Sequence, residues 1–171
     1  MPITRAMLEK YVSPTFLETG TFTGEAVELA LKLGFTTVHT IEIDPKRVRK
    51  VRAKNLPNTT VYEGSGPDVL ARILPGIEGP ITFWLDSHPF QKPMDIFLTK
   101  FPLMRELRAI HKYAKPGAHV IAMDDMRIVP PWELAILKFG IQLLWPHAVL
   151  RFEGDRYCED DIMVADLRGS A

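Results

Sequence analysis

The stretch F-L-E-T-G-T-F-T-G, residues 16–24, constrains this chain more than any other. Thr15 to Leu17 predict a short buried strand with Glu18 at its end. Gly20 and Gly24 follow and let the backbone come close to a ligand. From Thr23 a helical period begins. Ala26, Leu29, Ala30 and Leu33 fall at i, i+3, i+4 and i+7, and Gly34 stops the helix. A strand, a glycine-bearing turn and a helix N-terminus together form a nucleotide cradle.

The rest of the chain repeats the alternation. Thr37 to Ile43 reads as a second strand, and Asp44-Pro45 as an N-cap and first helical residue. The helix that follows, K-R-V-R-K-V-R-A-K-N, turns Val48 and Val51 inward and its basic residues outward. Those basic residues form either a phosphate-binding patch or a solvated helix face, and the balanced charge of the chain favours the second. Thr60 to Glu63 is a third strand, and a helix runs on through Leu74. Ile81 to Asp86 is nearly all apolar, as in a central strand buried on both faces. A helix over 101–113, a strand over 119–123, a helix from Pro130-Pro131 to Leu144, and strands over 148–152 and 161–167 complete the order. The last pair is joined by a hairpin-length polar turn and is expected to be antiparallel. Strands alternating with helices predict an α/β fold, an open parallel sheet with helices on both faces and ligands beyond the carboxyl ends of the strands. The segment 89–100 is the longest predicted loop and a candidate substrate lid.

Composition bounds the reading. A chain of 171 residues, 46% hydrophobic and 25% charged, fits a single globular domain over 1–171. Lys plus Arg balance Asp plus Glu at 21 each, which weighs against a nucleic-acid partner. One cysteine, Cys158, excludes an internal disulfide and suits a reducing cytoplasm. No apolar run approaches the roughly 20 residues of a membrane span, and the first residues show no signal-peptide core, so a cytoplasmic protein is expected.

Acids recur at predicted strand ends: Glu18, Glu42, Asp86 and the pair Asp124-Asp125. Carboxylates so placed face one crevice, where their repulsion needs a cation or a hydroxyl-rich ligand. Glu42 follows the glycine turn at the spacing of an acid that binds ribose hydroxyls, or is an exposed acid before the Asp-Pro helix start. Asp86, Asp124 and Asp125 end neighbouring strands and could hold Mg²⁺, or could cap turns and accept backbone N–H groups. His88, just past Asp86, is a candidate general base or an ordinary loop histidine. His39, His111, His119 and His147 read as packing or surface residues.

Together these residues resemble the class I S-adenosylmethionine-dependent methyltransferases. E-T-G-T-F-T-G resembles their first motif, with Phe22 where glycine is frequent. T-I-E-I-D-P resembles the second-strand motif with the ribose acid, and K-P-G-A-H-V-I the turn into the fifth strand. The resemblance spans about residues 14–168. It implies a Rossmann-like, doubly wound, mostly parallel seven-stranded sheet with an antiparallel last strand. It places S-adenosylmethionine against Glu18, Thr19, Gly20, Thr21, Phe22, Thr23, Gly24, Glu42, Ile43 and Asp86. Ser65 or Asp68 would take the adenine role. W-L-D-S-H with M-D-D further resembles the metal-dependent O-methyltransferases of the catechol, caffeoyl and macrocin types. That resemblance implies Mg²⁺ on Asp86, Asp124 and Asp125, catalysis by Asp86 and His88, and a small hydroxylated acceptor. The N-terminal cap is reduced to about a dozen residues, which leaves the cofactor exposed or covered by a partner subunit, as in a homodimer.

Three other readings compete. A short-chain dehydrogenase shares Thr-Gly-x-x-x-Gly, but none of the four tyrosines is followed by lysine at Tyr-x-x-x-Lys spacing. V-P-P-W, residues 129–132, resembles the Asn-Pro-Pro-aromatic motif of adenine and glutamine N-methyltransferases, without the Asn and after the wrong strand. A non-catalytic binding protein on the same fold is the third.

Overall fold

The computed structural model describes residues 3–86, 102–154 and 158–169. They run α1 (Arg5–Leu8), β1 (Thr15–Thr19), α2 (Glu25–Leu33), β2 (Thr37–Glu42), α3 (Pro45–Arg52), β3 (Thr59–Glu63), α4 (Gly66–Ile73), β4 (Ile81–Leu85), α5 (Leu103–Tyr113), β5 (Val120–Met123), α6 (Pro131–Leu144), β6 (Val149–Glu153) and β7 (Ile162–Asp166). The seven strands form one sheet in the order β3-β2-β1-β4-β5-β7-β6. Pairings from β3 through β5 are parallel, and β7 runs antiparallel to both β5 and β6. The expected doubly wound sheet with its antiparallel last strand is present. The order reverses between β1 and β4, which opens a crevice at their carboxyl ends.

Strand side chains alternate between two cores. One face carries Leu17, Ile41, Phe83, Leu85, Ile121 and Met163 against α4, α5 and α6. The other carries Phe16, Val38, Trp84, Ala122 and Val164 against α1 and α2. β4 is buried at every position, as its apolar run predicts. The Asp44 side chain caps α3 by accepting from the Lys46 N–H at 2.7 Å, with Pro45 at the first position. Gly34 ends α2 with φ +93°.

Boundaries differ from expectation where tertiary contacts decide them. β1 extends two residues past Leu17, because Glu18 and Thr19 stay paired with Thr40 and Ile41 on one side and Trp84 and Leu85 on the other. α2 starts at Glu25, because Gly24 is left-handed at φ +81°. β5 starts one residue after His119, whose ring instead fastens the turn below the sheet. Its Nδ1 accepts from the Ile81 N–H at 3.1 Å, and Nε2 lies 2.7 Å from the Lys115 carbonyl. His39 is half-buried against Tyr62, and His111 packs edge-on against Trp145. No described helix is long and apolar enough to cross a membrane.

Three basic residues in and just after α3 make local contacts. Arg47 lies over the Phe22 ring, Arg52 donates to the Val61 carbonyl, and Lys54 bridges Glu28 and the Thr23 carbonyl. His88, the segment 89–100 and Phe101 lie outside the described residues.

Candidate active site

The crevice is built from strand ends held level by backbone bonds. The Gly20 N–H donates to the Ile41 carbonyl at 2.9 Å, the Asp86 N–H to Thr19 at 3.0 Å, and the Asp124 N–H to Leu85 at 3.1 Å. These bonds continue the sheet by one residue past each strand. They bring the ends of β1, β2, β4 and β5 together, and with them the acids expected there.

The glycine turn carries a bulky residue where glycine is frequent. Phe22 sits at φ +49°, in the left-handed region that glycine enters freely and bulky residues rarely. The backbone therefore follows a glycine-like path despite the side chain. Two contacts hold it there: the Phe22 N–H donates to Glu42 Oε2 at 2.9 Å, and the Arg47 guanidinium lies 4.7 Å from the ring centroid. Glu42 also accepts from the Asp44 N–H at 2.9 Å. Its carboxylate thus bridges the first turn and the start of α3, and each oxygen keeps acceptor capacity for a further donor. Phe22 (52% exposed) and Ile43 (71% exposed) present apolar surface to solvent on either side of Glu42.

Glu18 lies beneath this turn, fully buried. Thr40 Oγ1 donates to its Oε2 at 2.6 Å, and Thr21 Oγ1 lies 2.5 Å from Thr40 Oγ1. Burial pushes the Glu18 carboxyl well above the ordinary range, and Asp86 and Glu42 push the same way against the Thr40 bond. A cation standing close would favour its ionised form. Thr40 carries no motif, and sequence reasoning missed it; its register opposite Glu18 becomes visible only once β1 and β2 pair.

Beyond β4 and β5, carboxylate oxygens of Asp86, Asp124 and Asp125 all lie within 4.8 Å of one another. Asp124 Oδ1 accepts the Asp125 N–H at 2.8 Å, while its buried Oδ2 has no hydrogen-bond partner among the described residues. Burial first, then the charges of Asp86 and Asp125, raise the Asp124 pKa to about 8. Asp125 takes a left-handed φ of +61°, a conformation that costs on the order of 1 kcal/mol for a non-glycine residue.

Arg127 was absent from the expected set. Its guanidinium lies 2.6 Å from Asp125 Oδ1 and also pairs with the buried Asp161, which accepts the Arg127 N–H at 2.8 Å. A cation two residues past an acid pair, in M-D-D-M-R, was the available signal. Glu106 was missed as well. It is buried in α5, and its Oε1 would lie 2.1 Å from a Cβ placed on Gly66 at the start of α4. Ser65 caps α4 by backbone conformation alone, and Asp68 is exposed beside Arg105 at 3.5 Å.

The three aspartates fit a hard divalent cation. All donors are carboxylate oxygens, the chemistry that Mg²⁺, Ca²⁺ and Mn²⁺ prefer. One carboxylate oxygen from each lies within 4.8 Å of the other two, so the three residues could hold a single ion between them. The buried Asp124 Oδ2, without a hydrogen-bond partner among the described residues, is a further donor suited to a cation.

No protein-family model matches the chain, and no curated protein matches it in sequence. Solved structures do match in fold. An O-methyltransferase from Bacillus cereus, solved with SAH, is 16% identical, with a TM-score of 0.58 over 95% of this chain and 78% of its own. TomG from Streptomyces achromogenes, an O-methyltransferase of tomaymycin synthesis solved with SAM, is 14% identical, with a TM-score of 0.59 over 95% and 76%. An rRNA methylase from Streptococcus thermophilus is 13% identical, with a TM-score of 0.56 over 95% and 92%. The chain has the Rossmann-like, doubly wound fold on which these methyltransferases are built.

Proposed function

We propose that this protein is an S-adenosylmethionine-dependent methyltransferase that transfers the methyl group to a hydroxyl of a small molecule, with Mg²⁺ held by Asp86, Asp124 and Asp125. The carrying observation is the convergence of those three carboxylates on the crest that also holds the glycine turn and Glu42. A binding-only protein on the same fold is the competing reading; the left-handed φ of Phe22, which lets the turn follow a glycine-like path, weighs against it.

In this reading Glu42 accepts from the ribose hydroxyls while fixing the turn. Phe22 and Ile43 cover the apolar face of the adenosine, and Ser65 stands at the adenine end. The sulfonium lies above Glu18, whose burial is offset when a positive charge arrives. Mg²⁺, when bound, would draw a substrate oxygen into place and make its hydroxyl more acidic. A lone pair of the acceptor oxygen would form the new C–O bond while the S–C electron pair returned to sulfur, with His88 assigned to take the hydroxyl proton. Most of the acceleration then comes from alignment. A small-molecule acceptor is favoured over a nucleic acid by the zero net charge and by the local engagement of Arg47, Arg52 and Lys54.

Calorimetry of S-adenosylhomocysteine binding, with and without Mg²⁺, tests the proposal. Binding that is strengthened or made measurable by Mg²⁺, and insensitive to Mg²⁺ in Asp125→Asn, is expected. No binding under either condition sinks the cofactor assignment. Binding indifferent to the ion, with Asp125→Asn fully active, removes the metal and leaves a methyltransferase.

A further inference from the structure

Asp161 stands one residue before β7, fully buried, and clamps the connection that leads from β5 to α6. Its backbone carbonyl accepts the Met126 N–H at 2.9 Å. Its Oδ1 accepts the Arg127 N–H at 2.8 Å, and its Oδ2 pairs with Arg127 Nη1. The same guanidinium reaches the other way, with Nη2 2.6 Å from Asp125 Oδ1. The segment also closes on itself, the Ile128 N–H donating to the Asp125 carbonyl and the Val129 N–H to the Met126 carbonyl, each at 3.1 Å. Asp125 at φ +61° and Asp160 at φ +62° are both left-handed, a conformation that a non-glycine residue keeps only where its surroundings fix it.

We infer that Arg127, anchored on the buried Asp161, is a positioning residue that holds the Asp125 carboxylate ready for the ion. The inference rests on the proposed Mg²⁺ site. A guanidinium is planar and carries its donors in a fixed fork, so fastening Nη1 to a buried carboxylate fixes where Nη2 points. With Oδ1 bound to Nη2, the Asp125 carboxylate is held against rotation and keeps acceptor capacity for a metal. The neighbouring acid is held in the same manner, since Asp124 Oδ1 accepts the Asp125 N–H at 2.8 Å. Each acid of the pair therefore has one oxygen tied to the protein. Charge decides why Asp161 is needed. A lone guanidinium beside three carboxylates would cancel part of the field that draws a cation. Asp161 offsets that charge, so the Arg127–Asp161 pair supplies a directed bond at little cost to the field. Carboxylates that ligate metals are commonly held from behind by such donors, and losing one lowers metal affinity about 10–100-fold. Asp161 lies outside the paired register of β7, which runs from Ile162, so the clamp is separate from the pairing of the sheet.

Calorimetric titration of the full chain with Mg²⁺, and with Mn²⁺ followed by electron paramagnetic resonance, tests the inference in wild type and Arg127→Lys. Lysine keeps the positive charge and the backbone bond to Asp161, but its ammonium is a point charge without the rigid fork. Arg127→Lys is expected to bind both ions about 10–100-fold more weakly, with an altered spectrum of bound Mn²⁺ and an unchanged near-ultraviolet circular dichroism spectrum of the ion-free protein. Asp161→Asn is the second variant. It keeps an acceptor for the Arg127 N–H and removes the charge that offsets the guanidinium, and it should weaken ion binding by a similar factor. An Arg127→Lys protein that binds Mg²⁺ as tightly as wild type overturns the inference and leaves Arg127 a plain counter-charge. Should Arg127→Lys fail to fold, undiminished binding by Asp161→Asn overturns it equally. A wild-type protein that binds neither ion overturns the metal site and the inference with it, a result distinct from ion binding that the variants retain.

Discussion

Asp124 holds one oxygen on the Asp125 N–H and buries the other without a partner among the described residues, so its charge has direct consequences for stability. Its folded pKa of about 8 lies above the ordinary 3.8. The folded state therefore keeps a proton that the unfolded chain has lost once pH exceeds about 4. Stability falls as pH rises through that window, by at most about 1.4 kcal/mol per pH unit, and levels off above the folded pKa. Asp124→Asn retains the Oδ1 acceptor and cannot ionise. It should melt close to wild type at pH 4 and above wild type at pH 8, which a pair of melting curves against pH will check. Cation binding must displace the same proton, so Mg²⁺ should stabilise the wild type more at pH 8 than at pH 6, and should not stabilise Asp124→Asn at either. A wild-type curve flat between pH 5 and 8 would show that the proton is not there. Phe22 is also decided at this scale. Phe22 stands where glycine is frequent, yet backbone conformation and side-chain identity are separable, and two local contacts stabilise a φ that the sequence does not advertise.

Between elements, two contacts tie distant parts of the chain to the sheet. Near the N-terminus the Tyr11 hydroxyl donates to Glu153 Oε1 at 2.8 Å, Lys10 binds the other oxygen at 2.7 Å, and Arg168 covers the Tyr11 ring while pairing with Asp166. The short N-terminal segment is thereby fastened to β6 and to the end of β7. Tyr11→Phe removes a hydrogen bond to a charged group and should cost about 1.5–3 kcal/mol in urea unfolding without changing the m-value. The second contact joins α4 to α5, where Glu106 sits against the backbone of Gly66. Gly66→Ala drives a methyl into a buried carboxylate and should cost about 1–3 kcal/mol, whereas Gly76→Ala, with open space around it, should fall within about 0.5 kcal/mol. Elements such as these were legible from periodicity and capping residues: Asp44-Pro45 and the apolar run of β4 locate themselves. Their partners were not, because Tyr11 with Glu153 and Glu106 with Gly66 become neighbours only through topology.

The whole molecule is neutral, yet its acids are not evenly spread. The recurrence of carboxylates at strand ends was visible in the sequence because a parallel sheet delivers every strand's carboxyl end to one crest. Their mutual distances, the upward shift of the Glu18 carboxyl and the Arg127 counter-charge were not, since burial and side-chain approach have no local sequence signal. This asymmetry makes a prediction about the two forms of the proposed cofactor. S-adenosylmethionine carries a sulfonium charge and S-adenosylhomocysteine does not, so their contacts differ mainly by one positive charge near Glu42, Asp86 and the Asp124-Asp125 pair. A charge pair about 7 Å apart at the water-exposed mouth of a crevice is worth about 0.6–0.8 kcal/mol, and several act together. The sulfonium form should therefore bind several-fold more tightly in dilute buffer. Raising salt from about 20 mM to about 300 mM shortens the screening length from roughly 20 Å to below 8 Å and should shrink the preference. Mg²⁺ should shrink it as well, because an ion on Asp86, Asp124 and Asp125 cancels the field that attracts the sulfonium. Competitive titration of the two forms at two salt concentrations, with and without Mg²⁺, reads both effects in one series. A preference that salt reduces and Mg²⁺ leaves untouched would place the sulfonium by Glu18 and Glu42, out of reach of the three aspartates. A preference indifferent to both would mean that the acids of the crest serve the fold and not the cofactor.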